Sequence, residues 1–220
     1  MLLRKLTAEF IATYALVFFG TGAIVVNTVS GGAIGHLGIC LIFGAIVTVL
    51  IYAFGELSGT HINPAVSFAF WLSGRMLAKE MVLYWIAQVL GAIAASYTLL
   101  YMFPGLVDYG STVPMGSPIQ TLVLEIIISF LLMLIILHLA TGSKEQGLMA
   151  GLAIGIMVGL EALVAGPISG ASMNPARSIG PALVSGQLAV MWIYVAGPMG
   201  GMALAVAVWK FLTAKVNYEV

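Results

Sequence analysis

Two stretches, SGTHINPAVS at residues 58–67 and SGASMNPARS at residues 169–178, determine how this chain is expected to fold. Each begins with Ser-Gly and continues, after three further residues, with Asn-Pro-Ala. The two asparagines, Asn63 and Asn174, stand 111 positions apart, which is about half of the 220-residue chain. Only the second stretch adds an arginine, Arg177. A polar motif that occurs once in each half indicates that the two halves share one architecture.

The composition around these motifs is that of a membrane protein. Hydrophobic residues make up 61% of the chain and charged residues only 7%, whereas a soluble domain is about 25% charged. Eight basic residues balance eight acidic ones, so no nucleic-acid partner is expected. The single cysteine, Cys40, excludes an internal disulfide and a cysteine-based metal cluster.

Six apolar runs are long enough to cross a hydrocarbon core of about 30 Å as helices. They are Leu6–Val26, Leu37–Phe54, Met81–Phe103, Ile119–Ala140, Leu148–Ala165 and Leu188–Leu212. The sequence therefore predicts an all-α membrane protein with six transmembrane helices.

The basic residues predict the orientation of these six spans. Seven of the eight lie before the first span, at or after the end of the sixth, or in the second and fourth connections: Arg4, Lys5, Arg75, Lys79, Lys144, Lys210 and Lys215. With six spans, all of these segments lie on one side, which the excess of basic residues marks as cytoplasmic. Both termini are therefore expected in the cytoplasm. The eighth basic residue, Arg177, breaks this pattern, and a functional role is expected for it.

The two halves are expected to have opposite orientations in the membrane. Glu9 in the first span matches Glu125 in the fourth, and AQVLGA at 87–92 matches AGPMGG at 196–201. Each half contains three spans, an odd number, so the second half is inverted relative to the first. Inverted repeats place a shared site near the middle of the bilayer. We interpret the chain as one channel domain, 1–220, built from the inverted repeats 1–103 and 118–213.

Each Asn-Pro-Ala motif is expected to start a short re-entrant half-helix. Asparagine is a favoured N-cap, and proline is favoured in the first helical turn. The apolar stretches that follow, Ala65–Leu72 and Ala176–Val184, are too short to span the bilayer. Irregular backbone at membrane depth persists only where protein buries it or where it lines water, and two ordinary loop turns would not recur at matching places in both halves. The predicted centre of a pore is formed by Asn63, Pro64, Ala65, Asn174, Pro175 and Ala176.

The facing ends of these two half-helices suit neutral molecules. Each helix N-terminus carries a charge of about +0.5, which repels cations and hydronium ions. Each asparagine oxygen caps its own helix, so the amide NH₂ is expected to donate hydrogen bonds into the lumen. A water molecule held by two donors is poorly placed to pass on a proton. The motif pair thus predicts a pore for small uncharged molecules.

At these motifs the chain resembles the major intrinsic proteins, the family of aquaporins and aquaglyceroporins. The resemblance extends from AEF at 8–10 to GPMGG at 197–201, and the stretch 165–186 is most similar to the nodulin-like branch of plants and its bacterial relatives. It implies a right-handed bundle of six helices and two half-helices, with one pore per subunit and four subunits per assembly. The implied partners are further copies of the chain, the lipid bilayer and small neutral permeants, with no cofactor and no metal.

The resemblance also implies a selectivity filter of four side chains. Counting from the two asparagines, these are Phe43, Ala162, Ala171 and Arg177. Taken singly, an aromatic residue such as Phe43 is more often part of the core, and the alternative for Arg177 is a contact at the surface or with lipid headgroups. At these four positions, water channels of the family resemble one another in having Phe, then His, then Cys or Thr, and then Arg. Glycerol channels of the family resemble one another in having Trp, Gly, Phe and Arg. This set matches neither.

Two alanines in that set predict a filter wider than that of a strict water channel. Because the nodulin-like branch passes glycerol, urea and uncharged metalloid acids, the resemblance implies water and glycerol first, then urea or undissociated metalloid acids. Ser178 and Ala182 instead resemble water channels, so a strict water channel is the alternative, whereas Tyr194 and Val195 fit the nodulin-like branch.

Other classes of protein account less well for the sequence. A secondary transporter would need carboxylates that converge on a coupling-ion site, and a junction-forming membrane protein without a functional pore is a further alternative. The chain has no arrangement of residues typical of an enzyme active site. No eukaryotic targeting feature and no N-glycosylation sequon occurs, and the terminal tails are short, so a bacterial or archaeal inner membrane is expected.

Four further polar side chains within the membrane region need a role. Glu9 and Glu125 are expected to accept N–H bonds from the backbone before each half-helix, with a proton relay as the alternative. His61 is expected to line the cytoplasmic half of the pore. Glu161 adjoins a filter position, and three roles remain open for it: contact with the connection after the first span, a bond to Arg177, or a place facing the vestibule.

Overall fold

The computed structural model describes residues 1–214, which form a bundle of α-helices. In chain order the helices are α1 Leu2–Val29, α2 Gly35–Ser58, α3 Pro64–Leu72, α4 Ala78–Met102, α5 Pro118–Thr141, α6 Lys144–Ser169, α7 Pro175–Ser185 and α8 Ile193–Thr213. Within the described part of the chain, six are long and apolar enough to cross a membrane, and α3 and α7 are the two short ones. The prediction of an all-helical membrane protein with six spans and two half-helices is confirmed. Lys215, which contributed to the predicted orientation, lies outside the described residues.

The sixth span begins later than its apolar run. The run starts at Leu188, but α8 starts at Ile193. The residues between them form tight turns, in which Met191 N–H donates to the Leu188 carbonyl and Ile193 N–H to the Val190 carbonyl. Hydropathy reports where a chain prefers lipid or core, and an apolar turn satisfies that preference without being helical. Here i→i+3 bonds replace the i→i−4 ladder of a helix.

Both half-helices begin through the same local chemistry. Asn63 has extended backbone, and its Oδ1 accepts the Ala65 N–H at 2.9 Å. Asn174 is also extended, and its Oδ1 accepts the Ala176 N–H at 3.0 Å. The proline after each asparagine occupies the first helical position, where the missing N–H costs nothing. Each half-helix therefore begins at its proline, one residue before the predicted start.

The irregular segments before the half-helices repeat each other in backbone conformation. Thr60 and Ile62 precede Asn63 with φ values of +45° and +44°, and Ala171 and Met173 precede Asn174 with φ values of +42° and +53°. Residues with a Cβ atom enter this left-handed region at a cost of about 1–2 kcal/mol each. Such conformations persist where the surroundings over-determine them, so both segments require strong external support.

The long helices pack in the same pairs in each half. Helix α1 packs on α4, and α5 packs on α8, while α2 crosses α6 between the halves. Gly91 of α4 faces the Phe10 carbonyl of α1, and Gly201 of α8 faces the Ile126 carbonyl of α5, with no room for a Cβ atom at either glycine. Small residues at such crossings allow the helix backbones to approach closely.

These contacts correct the internal alignment of the two halves. Gly91 and Gly201 are equivalent in packing, and Tyr84 and Tyr194 are equivalent in hydrogen bonding, since each donates from its hydroxyl to the carbonyl of the serine in Ser-Gly. AQVLGA at 87–92 therefore corresponds to 197–202, one residue later than the match read from sequence. The sequence match failed because adjacent small residues in this region resemble one another.

One face of the bundle carries both ends of the described chain. Lys5, at the start of α1, forms an ion pair of 2.8 Å with Glu80 at the start of α4. Near the end of α8, Lys210 donates from Nζ to the Leu72 carbonyl at the end of α3, and the Trp209 ring lies 5.4 Å beneath the Arg75 guanidinium. We call this the terminal face; it carries Lys5, Arg75 and Lys210, three of the basic residues that the sequence placed on one side.

Candidate functional site

The two asparagines meet where the N-termini of α3 and α7 face each other. Asn63 Nδ2 donates to the Met173 carbonyl at 2.8 Å, and Asn174 Nδ2 donates to the Ile62 carbonyl at 2.8 Å. Each amide thus caps its own half-helix with its oxygen and ties the other half through its nitrogen. The sequence predicted an NH₂ group wholly free for the lumen. The structure corrects this, because one of the two hydrogens on each nitrogen joins the halves and one remains.

A cavity of about 620 Å³ passes this junction. Both asparagines line it, and most of its wall is apolar, contributed by residues such as Val47, Ile154 and Val158. No aspartate or glutamate of the described chain is among its lining residues. The same residues 1–214 contain no group of three or more His, Cys, Asp or Glu side chains that could hold a metal ion. The cavity is therefore an apolar passage with a few polar positions.

Phe43, Ala162, Ala171 and Arg177 all line this cavity. Arg177 is only 4% exposed, and its guanidinium carbon lies 5.2 Å from the centre of the Phe43 ring. Its Nη1 donates to the Gly110 carbonyl at 2.6 Å, and its Nε has no protein partner in the described chain. A headgroup contact for Arg177 is therefore wrong. The arginine is buried beside the Phe43 ring, in a cavity that Ala162 and Ala171 also line.

Glu9 supports the irregular segment that leads into α3. Its carboxylate accepts the His61 and Ile62 N–H groups at 2.9 and 2.7 Å. It also accepts the Ser58 hydroxyl at 2.7 Å and the Gln88 amide at 2.8 Å. Four donors on a fully buried carboxylate hold the left-handed Ile62 in place and account for Glu9 without a proton relay.

Glu125 supports the segment that leads into α7 in the same way. Its carboxylate accepts the Ser172 and Met173 N–H groups, both at 2.9 Å, and the Ser169 hydroxyl at 2.8 Å. The Tyr194 hydroxyl donates to the Ser169 carbonyl at 2.8 Å. The expected backbone contacts of both glutamates are therefore present, and the two strained segments have matching supports.

A model of the family described as "Major intrinsic protein" matches residues 1–209. The chain belongs to the major intrinsic protein family. Among its relatives, "Aquaporin NIP1-1" of Zea mays is 48% identical over 200 residues, covering 90% of this chain and 71% of that protein. "Probable aquaporin NIP4-2" of Arabidopsis thaliana is 47% identical over 212 residues, covering 96% of this chain and 75% of that protein. The predicted resemblance to the nodulin-like branch is confirmed.

A solved structure shows the same fold. The X-ray structure of the aquaglyceroporin from Plasmodium falciparum superposes with a TM-score of 0.86, covering 97% of this chain and 98% of that one at 22% sequence identity. Membership of the major intrinsic protein family makes this chain a membrane channel and not an enzyme. The two named relatives are plant proteins and give no support to a bacterial or archaeal membrane.

His61 of this major intrinsic protein lines the cavity between the asparagines and the terminal face. Its ring stacks on Phe70 of α3 with centroids 4.5 Å apart, and its Nδ1 lies 3.0 Å from the Ser67 hydroxyl. These contacts hold the imidazole ring against the wall of the cavity.

Two of the three roles left open for Glu161 are excluded by its position. The side chain is 5% exposed, does not line the cavity, and makes no hydrogen bond with either oxygen to any described residue. A bond to Arg177 and a place in the vestibule are therefore both wrong. Ile154, Val158 and Ala162 face the cavity at intervals of four residues, and Glu161 is rotated from Ala162 by about 100° around the helix. That rotation turns the carboxylate into the helix packing.

Two further groups at the site, the His36 ring and the Gly110 carbonyl, were not predicted from the sequence. Only the contact of His36 could have been expected from a sequence feature. His36 lines the cavity and donates from Nε2 to the Leu163 carbonyl at 2.9 Å. Within a helix that carbonyl would accept the N–H of residue 167, but Pro167 has none. A proline inside an apolar run thus marks a carbonyl that needs an outside donor. The Gly110 carbonyl, the partner of Arg177, left no such signal.

Replacing Glu9 with glutamine is expected to destabilise the channel and reduce its water permeability. The glutamine amide nitrogen cannot accept, so buried N–H donors before α3 lose a partner at about 1–3 kcal/mol each. Thermal unfolding in detergent and light scattering of proteoliposomes measure the two effects. Glu56→Gln is the matched control, since Glu56 is exposed at the end of α2. Equal melting temperatures for the two variants would contradict this role of Glu9.

Proposed function

We propose that this channel passes water and small uncharged solutes passively, with glycerol first and urea or undissociated arsenous or boric acid next, and that it excludes ions and protons. The observation that carries the proposal is the set of four side chains beside the junction. Arg177 and Phe43 face the cavity together with Ala162 and Ala171. A polar fork, an aromatic wall and two small residues suit a neutral solute larger than water.

Exclusion of ions follows from the charges around the passage. The half-helices α3 and α7 direct two N-termini at the junction, each with a charge of about +0.5, and Arg177 adds a full positive charge nearby. Among the described residues no carboxylate faces the cavity to compensate for them. A cation would lose its hydration without gaining a ligand. The same observation disfavours a secondary transporter, which needs carboxylates at a coupling-ion site.

Glycerol is the first candidate because it has two chemically different sides. Its carbon backbone can lie on the Phe43 ring, while its hydroxyls accept hydrogen bonds from the Arg177 guanidinium. A solute that exchanges bonds with water for bonds with protein loses little on entering a narrow passage. Ser178 and Ala182 favour the alternative, a strict water channel, since they resemble residues of water channels.

Flux measurements on proteoliposomes separate these functions. Stopped-flow light scattering is expected to show rapid shrinkage with a low activation energy, followed by re-swelling when glycerol, urea or arsenous acid is the osmolyte. Protein-free vesicles are the control. Shrinkage in water with no re-swelling for glycerol, for urea and for arsenous acid would establish a strict water channel. A Na⁺ or proton current comparable with the water flux would overturn the proposal.

We also propose a homotetramer with one pore in each subunit, supported by membership of the family. The small residues Gly91, Gly197 and Gly201 do not add support, because each packs against a helix of its own subunit. Native mass spectrometry in mild detergent and in lipid nanodiscs is expected to give four chains per particle. A monomer under both conditions would contradict the proposal.

The sidedness and the cell membrane remain predictions from the sequence. The basic residues on the terminal face support an orientation with both termini in the cytoplasm. The inner membrane of a bacterium or archaeon is a prediction from the sequence alone, and the plant relatives give it no support. Protease access to tags at the two termini in intact cells tests the orientation.

A further inference from the structure

The connection between α4 and α5, residues 103–117, folds back onto the filter. Gly110 in this connection supplies the carbonyl that accepts from Arg177. Tyr109 beside it is buried, donates from its N–H to the Ser185 hydroxyl and from its own hydroxyl to the Phe103 carbonyl. The connection is therefore part of the wall that holds the filter arginine.

Three buried hydroxyl groups join this connection to the re-entrant segment. Thr112 Oγ1 lies 2.7 Å from Ser178 Oγ, and Ser178 Oγ lies 2.6 Å from Ser172 Oγ. Ser172 Oγ lies 2.9 Å from the Asn174 carbonyl. Thr112, Ser178 and Ser172 are at most 4% exposed, and Ser172 is the member of the chain that also lines the cavity.

The direction of this hydroxyl chain follows from counting hydrogens. A carbonyl oxygen only accepts, so the Ser172 hydroxyl donates its single hydrogen to the Asn174 carbonyl. The Ser172 oxygen must then accept the hydrogen of the Ser178 hydroxyl. Because the Ser178 hydroxyl donates its hydrogen to Ser172, its oxygen must accept the hydrogen of the Thr112 hydroxyl. Thr112 is therefore the donor that begins the chain. Each hydroxyl hydrogen in this chain has one acceptor, and Ser172 Oγ also accepts the Asn174 N–H at 3.3 Å. Removal of the Ser178 hydroxyl therefore takes a bonding partner from both Thr112 and Ser172.

Close backbone contacts hold the connection and the segment before α7, which the hydroxyl chain joins, in fixed positions relative to each other. Gly110 has a φ of +79°, and a Cβ atom there would lie 2.9 Å from Thr21 of α1. Gly170 has a φ of +83°, and a Cβ atom there would lie 3.1 Å from Thr112. The connection is thus pressed between α1 and the segment that leads into α7. Thr112 lies at the point of contact, two residues from the carbonyl that Arg177 uses.

The first half of the molecule has no such chain. Ser67 is the counterpart of Ser178, since each stands four residues after its motif asparagine. Its hydroxyl bonds to His61 Nδ1, the Gln88 amide and the Asn63 carbonyl, all near α3. No connection reaches it. The hydroxyl chain occurs only in the half that carries the filter arginine.

We infer that Thr112 and Ser178 are positioning residues that set the solute specificity of the filter, because they hold the Gly110 carbonyl against Arg177. The inference rests on the proposed function of the same site. Without the Thr112 hydroxyl, the connection loses its bond to α7, and the arginine fork gains freedom to tilt. The charge of Arg177 and the half-helix N-termini stay, so ions remain excluded while selection among neutral solutes changes.

Permeability ratios in proteoliposomes test this inference. Thr112→Val and Ser178→Ala are each expected to change the ratio of glycerol to water permeability about threefold, the effect of one hydrogen bond. The double variant is expected to change it no more than either single variant, and Thr112→Ser is expected to retain the parent ratio. Thr28→Val is the matched control, since the Thr28 hydroxyl bonds only within α1. Unchanged ratios in both single variants, or effects that multiply in the double variant, would overturn it.

A second readout does not depend on transport. ¹⁵N NMR of the Arg177 side chain in lipid reports how fast its guanidinium hydrogens exchange with water. Exchange is expected to be faster in Thr112→Val than in the parent, in Thr112→Ser and in Thr28→Val. Equal exchange in all four proteins would overturn the inference. A parent that passes no solute, combined with faster exchange in Thr112→Val, would refute the proposed function while leaving Arg177 positioned by Thr112.

Discussion

Arg177→Ala is expected to admit protons and small cations that the parent channel excludes. Arg177 is the one basic side chain among the described lining residues apart from the imidazoles of His36 and His61. It is buried and fixed between Phe43 and the Gly110 carbonyl. Its removal takes a full positive charge from the wall of the cavity and leaves more space beside the Phe43 ring. An electrostatic barrier lowered by about 3 kcal/mol would raise the cation rate by about a hundredfold.

Arg177→Lys is expected to have a different result. Lysine keeps the charge, so cations stay excluded, but it replaces a planar fork of donors with a single mobile ammonium group. The relative permeabilities of glycerol and urea should therefore change while the current stays low. Planar-bilayer currents and solute fluxes measured on the same preparations separate the two variants.

Arg75→Ala is the matched control for both variants. Arg75 also lies over an aromatic ring, that of Trp209, but on the terminal face and away from the cavity. Its loss is expected to leave ion exclusion and solute ratios as in the parent. Unchanged selectivity in Arg177→Ala and in Arg177→Lys would place Arg177 outside the filter.

Narrowing the filter is expected to abolish most of the glycerol permeability and to spare water. The double variant Ala162→His with Ala171→Cys adds bulk to two walls that now carry only methyl groups. Glycerol is wider than water and has to pass between these walls and Phe43. A barrier raised by about 1.4 kcal/mol would reduce its flux about tenfold. Water is expected to keep its rate within about twofold, since a single file of water fits the narrower opening and finds a new donor in the histidine.

Light scattering with glycerol as osmolyte measures this effect, and water shrinkage of the same vesicles is the internal reference. Ala162→Ser is the control for substitution at this position without narrowing, because serine adds one polar atom and little bulk. Its glycerol flux is expected to stay near that of the parent. Loss of water and glycerol flux in equal proportion would indicate a folding defect, and a glycerol flux unchanged by narrowing would contradict the filter assignment.

The parts that the sequence predicted correctly depend on forces that act over a few residues. Asparagine followed by proline starts a helix by local capping, so α3 and α7 begin within one residue of their predicted positions. The hydrocarbon thickness sets the length of an apolar helix, which is why six spans were found. The two errors of register, at the start of α8 and in the match of 87–92, arose where apolar or small residues run past the end of a structural unit.

Longer-range contacts were beyond the sequence. The sequence left three roles open for Glu161 because it adjoins Ala162, yet one residue is about 100° of rotation on a helix, and this places the side chain within the helix packing. The bond from His36 to the Leu163 carbonyl joins residues 127 positions apart. Neither residue has a property in the sequence that would identify the other as its hydrogen-bond partner.

The sequence by itself thus determined the six spans and the two half-helices, because periodicity and capping are properties of short segments. Its motifs identified the family, and that resemblance implied the four residues proposed as the filter. The tertiary structure alone decided that each motif asparagine donates across to the other half, and that Gly110 holds Arg177 from a connection 67 positions away. The physical reason is that a hydrogen bond between distant segments depends on where the whole bundle brings a backbone carbonyl. A carbonyl is present at every residue, so the sequence cannot mark the one that will be used.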